Sequence, residues 1–114
     1  MKTNHFYYLI FGFLLIGCAT AAIKNTETAT IDHVKSKYPN YTISEFTQGK
    51  ILYGEHCNSC HSLKNPTSYS ETEWNGILPR MTLLVNEKGP KLNATKQELI
   101  LKYLVTLSTA PVNK

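Results

Sequence analysis

In the run Glu55-His56-Cys57-Asn58-Ser59-Cys60-His61, two thiols stand three residues apart and an imidazole follows the second directly. C-x-x-C-H is the spacing at which two thiols add across the two vinyl groups of a haem. The adjoining histidine then falls beneath the iron as its proximal ligand. A chain built this way has to fold around a porphyrin, and no other feature of the sequence restricts its architecture as strongly. Rival uses of the run need partners that the sequence does not offer. A zinc site takes four nitrogen or sulfur ligands, and beyond this cluster the mature chain offers only His33 and Cys18. A thioredoxin-type pair belongs beside a β-α-β pattern, and no strand–helix–strand alternation is visible.

Residues 1–17 read as an export signal. Lys2 gives a positive start, and the apolar run over residues 6–16 is too short to span a bilayer as a mature helix. The run ends in Leu15-Ile16-Gly17-Cys18, which resembles a bacterial lipobox, so that Cys18 becomes the acylated first residue after cleavage. The alternatives are an ordinary secretory peptide cut near residues 19–22, or an uncleaved anchor. The lipobox also accounts for the odd cysteine: one of the three carries lipid, two carry haem, and no disulfide is left to form. Attachment at C-x-x-C-H normally takes place on the outer side of a bacterial cytoplasmic membrane, so signal and motif agree. Alanine at position 19, by analogy with enterobacterial sorting, favours the outer membrane. The expected location is the periplasmic side of a membrane, held there by the N-terminal lipid.

Without residues 1–17 the chain suffices for one small domain. Its formal net charge of +4 loses only Lys2 with the signal, and the remaining lysines are scattered, which excludes a nucleic-acid-binding charge pattern. A partly basic rim could still steer an acidic redox partner. Residues 18–41 read as a lipid-anchored tether, rich in Ala and Thr over 19–30, with a short helix possible over 31–38 before Pro39. Residues 42–114 form the domain.

The spacing predicts an all-α fold of three main helices. Thr42-x-x-Glu45, Ser70-x-x-Glu73 and Thr95-x-x-Glu98 each match the capping-box pattern. The apolar stripes that follow are Phe46, Ile51 and Tyr53; then Trp74, Ile77, Leu78, Met81, Leu84 and Val85; then Leu99, Ile100, Tyr103, Leu104 and Leu107. Pro79 is expected to kink or split the second helix, and Pro111 follows the third. No run alternates with period two, so no sheet is expected. A domain of this size is marginal on side chains alone. One covalently held porphyrin would fill its middle, and the chain without it is expected to be largely unfolded.

With these pieces in order, residues 38–108 resemble the small monohaem cytochrome c domains of bacteria. The matching positions are Gly49 and Tyr53, then Cys57-x-x-Cys60-His61, then Pro66, Trp74, Met81 and Tyr103-Leu104. The resemblance implies that Gly49 lets the first and last helices cross closely, with Tyr53 and Tyr103 at the crossing. It implies that the Pro66 carbonyl accepts the N–H of His61 and that Met81 is the distal iron ligand. Trp74 is most simply a core aromatic, though in this family it often lies near a haem propionate; Arg80 could pair with a propionate or stay solvated. The short loop between His61 and Pro66, and Met81 on a helical stripe only seven residues after Trp74, depart from the mitochondrial-type pattern.

Rival donors are His56, expected to be solvent-exposed beside Cys57, and His33, which would have to fold back from the tether. Met81 is the only methionine after Met1, and its ordinary role would be core packing. The resemblance implies an electron carrier rather than an enzyme: a monomer with one haem c, His61/Met81 ligation, and periplasmic or membrane redox proteins as partners. The alternatives are a gas sensor or redox enzyme with an open distal site, and a cytochrome subunit of a larger oxidoreductase.

Overall fold

Thr42 starts the first helix with both halves of a capping box. Its hydroxyl accepts from the Glu45 amide, and the Glu45 carboxylate accepts from the Thr42 amide at 2.9 Å. The structure, a computed structural model, describes residues 30–111. The helix so capped is α1, Ile43–Cys57. Ser70 and Glu73 repeat the arrangement at the head of α2, Glu71–Lys88. A single 3-10 turn, Pro66–Ser68, lies between them, and α3, Ala94–Ser108, completes the order. The fold is all-α, with no strand among the described residues. None of these helices is long and apolar enough to cross a membrane. Residues 1–29, with the expected signal, Cys18 and most of the expected tether, lie outside the described residues.

The third cap differs from the expected one. α3 begins at Ala94, and its N-cap is Asn93, whose side chain accepts from the Lys96 amide at 2.9 Å. Glu98, which completed the apparent box with Thr95, instead pairs with Lys102 one turn on, at 2.8 Å. Asn93→Ala is therefore expected to lower stability by about 1 kcal/mol. Thr95→Ala should stay within about 0.5 kcal/mol, as surface changes do. Chemical denaturation of both variants checks the assignment.

Pro79 does not split α2, which runs continuously through it. Proline removes one amide donor and crowds the carbonyl four residues back, here that of Asn75. Asn75, Gly76, Pro79 and Arg80 are all exposed, so water can serve the freed carbonyl.

α1 and α3 form the main packing contact, and α2 closes against α3. Ile100 and Leu104 of α3 are fully buried, surrounded by Phe46, Tyr53, Trp74, Leu78 and Tyr103. Gly49 is buried at the α1/α3 crossing: a Cβ there would lie 2.3 Å from the Leu99 carbonyl oxygen and 2.8 Å from Tyr103 Cβ. Tyr103 packs between Phe46 and Tyr53, with ring centroids 5.3 and 5.9 Å away. Ile51, placed in the first stripe by sequence, is 51% exposed. The buried face of α1 is Phe46, Gly49, Tyr53 and His56, a spacing of three, four and three residues.

The packed body begins before residue 42. Ile31, Val34 and Tyr41 are buried in the same core, so the tether reading does not hold over residues 31–41. Hydrogen-bonded turns over residues 31–38 bring them there. The Lys102 ammonium lies 5.7 and 5.8 Å from the Tyr38 and Tyr41 ring centroids while pairing with Glu98. Lys37 pairs with Glu71 at the head of α2.

Candidate functional site

α1 ends at Cys57, and residues 58–65 leave it as an exposed segment carrying Cys60 and His61. This segment and α2 face each other across a cavity of about 650 Å³, within the range of small-molecule and cofactor pockets, roughly 300–1,000 Å³. Cys57, Cys60 and His61 line it from one side, and Ile77, Met81 and Leu84 of α2 line it from the other. Tyr53, Tyr69, Trp74, Leu78 and Leu104 also contribute to its wall. Leu83 and Leu84, at the cavity, are among the most exposed large apolar side chains of the described residues. The protein thus leaves an apolar wall uncovered beside two thiols.

The His61 Nδ1 lies 2.8 Å from the carbonyl oxygen of Ser62. A carbonyl only accepts, so Nδ1 is the donor in that bond and Nε2 is the nitrogen left to face a metal. The acceptor differs from the expected one. The Pro66 carbonyl instead accepts the Trp74 indole N–H at 2.9 Å. The Trp74 indole N–H is thus bonded to the chain itself, and His61 turns to the carbonyl next to it in sequence.

Cys57 is half-buried, and burial pushes its thiol up to about 11. A neutral thioether would lose nothing by that burial, whereas a thiolate would. Cys60 is exposed. Burial likewise pushes the Tyr53 phenol up to about 12, and its hydroxyl donates to the Lys64 carbonyl at 2.7 Å. Lys64 and Arg80 line the cavity as cations, with the Arg80 Nε donating to the Gly76 carbonyl at 3.2 Å.

His56 is not solvent-exposed. It is 7% exposed and lines the same cavity. The signal was present in the sequence, since residue 56 continues the helical spacing of Phe46, Gly49 and Tyr53. His33 lies away from the cavity and donates from Nε2 to the Thr106 carbonyl at 3.0 Å, at the end of α3. Among the described residues no three His, Cys, Asp or Glu side chains gather into a metal-binding group. The metal-binding donors that share the cavity are two thiols, two imidazoles, the Met81 thioether and the Glu87 carboxylate. The two thiols, His61 with its Nδ1 bonded to Ser62, Met81 and the apolar wall fit a covalently held haem. No known protein family, curated protein or solved structure matches the chain.

Proposed function

We propose that this chain is a lipid-anchored c-type cytochrome carrying single electrons between redox proteins on the periplasmic side of a bacterial membrane. The observation that carries the reading is the convergence of Cys57, Cys60, His61 and Met81 on one apolar cavity. Cys57 and Cys60 would hold haem c through two thioethers, each S–H adding across a vinyl group with no atom lost. Haem supplies a one-electron ferric–ferrous couple when bound there.

The residues divide the remaining tasks. His61, with Nδ1 committed to Ser62, offers Nε2 as the proximal donor. Met81 offers a thioether, which raises the reduction potential relative to a second histidine. Trp74, Leu78 and Leu104 keep water from the inner wall. Cys60, His61, Leu63 and Lys64 are exposed, so a partner can approach the site from solvent without any part of the fold opening. Contact with such partners would be small and short-lived, as redox encounters generally are.

The optical spectrum of ferric, haem-loaded protein made with its maturation machinery tests this. The expected result is a weak long-wavelength sulfur-to-iron charge-transfer band that vanishes in Met81→Ala. A high-spin spectrum that shifts with carbon monoxide after reduction would replace this reading with a sensor or enzyme having an open distal site.

A further inference from the structure

We infer that Tyr53 and Trp74 are positioning residues for His61, holding the segment that carries it through two main-chain carbonyls. The inference rests on the haem-binding reading above and names how that site is kept in place. Residues 58–65 are exposed, and their local bonds, such as Ser59 Oγ to the His56 carbonyl, do not tie the far end of the segment to the core. Two buried side chains do. Tyr53 donates to the Lys64 carbonyl at 2.7 Å, and Trp74 donates to the Pro66 carbonyl at 2.9 Å.

These donors come from the two helices that matter for the iron. Tyr53 lies one turn before Cys57 on α1, and Trp74 lies two turns before Met81 on α2. Their rings meet edge to face, with centroids 6.3 Å apart, and both line the cavity. The His61 segment is thereby fastened on one side to the helix bearing a thiol and on the other to the helix bearing the thioether. A looser segment would admit water, and water favours the more highly charged ferric state.

Losing either donor leaves a carbonyl on an exposed or half-exposed residue, so Tyr53→Phe should still fold. A net hydrogen-bond contribution corresponds to a change of about two- to tenfold in an equilibrium constant. The test compares haem-loaded full-length protein with Tyr53→Phe and Trp74→Phe, by poised-potential titration and by amide exchange. At the wild-type midpoint, the ferric-to-ferrous ratio is expected to rise in each variant, with about tenfold, the worth of one hydrogen bond, as its ceiling. Exchange should speed up over residues 58–66 while α3 keeps its protection. An unmoved midpoint, whether exchange is unchanged or faster throughout, would reduce both residues to core packing and overturn the inference. Wild-type protein carrying no covalent haem would overturn the functional reading itself. That result is distinct from a loaded wild type whose variants do not differ from it.

Discussion

Gly49→Ala is expected to destabilise the haem-loaded protein by about 2 kcal/mol or more, a fall of roughly 10 °C in Tm for a domain of this size. Two effects oppose each other. Alanine is the better helix former by about 1 kcal/mol. Against that, the new Cβ would sit 2.3 Å from the Leu99 carbonyl oxygen, 2.8 Å from Tyr103 Cβ and 3.0 Å from the Leu99 carbonyl carbon. Two of those atoms are backbone, so no rotamer change relieves the overlap, and α1 has to move off α3. That movement loosens Phe46, Tyr53 and Tyr103 together, so the steric effect wins. Gly54→Ala and Gly76→Ala provide the contrast. A Cβ at either position meets nothing within 4 Å, and each change should be neutral or stabilise by up to about 1 kcal/mol. Thermal unfolding of the three variants side by side reads the result, and a Gly49→Ala protein as stable as wild type would show that the crossing is not this close.

Removing both thiols is expected to have the larger effect. A Cys57→Ala/Cys60→Ala chain cannot hold haem covalently, and the cavity of about 650 Å³ is left without a tethered occupant. At roughly 24 cal/mol per Å³, a sealed apolar void of that size would cost about 15 kcal/mol. The cavity here is open to water, so this is an upper bound. Even a fraction of that bound is a large part of the whole stability of an ordinary domain, about 5–15 kcal/mol. The double variant is therefore expected to lose its cooperative thermal transition and most of its helical circular dichroism. A sharp transition near that of the wild type would mean that the helices of this chain hold together without a covalent cofactor.

Much of the fold was legible because short-range chemistry decided it. Thr42 and Ser70 each have a carboxylate three residues on, and both boxes form although Asn40 and Ser68 stand two residues before them. Thr95 matches the same pattern, but α3 starts from Asn93 and Glu98 pairs with Lys102 instead. A capping motif marks that a helix begins nearby more firmly than it marks the residue that caps it. Position along a helix face was less secure. Ile51 has the right polarity, but it lies off the face set by Gly49, where the helices touch. His56 lies on that face despite its polarity.

The beginning of the packed body was hidden for a different reason. The Ala/Thr-rich composition of residues 19–30 gives no sign that Ile31 and Val34, one turn apart, would reach the core. The segment that carries them meets α3 more than sixty residues away in sequence, through His33 with the Thr106 carbonyl and Tyr38 and Tyr41 with Lys102. Within the site, the C-x-x-C-H spacing identified the residues that line the cavity. Which carbonyl His61 would find was not encoded by spacing, because Trp74 also seeks the Pro66 oxygen. That competition exists only once α2 has docked.

Every role proposed for the site depends on Cys57 and Cys60 carrying a haem. Mass analysis of full-length protein produced with a c-type maturation system, followed by sequencing of the peptide that spans Cys57 to His61, tests it most directly. The expected peptide is heavier by one haem, bonded through both sulfurs, with neither thiol open to alkylation. Two freely alkylated cysteines, or a Cys57–Cys60 disulfide in protein without haem, would contradict it.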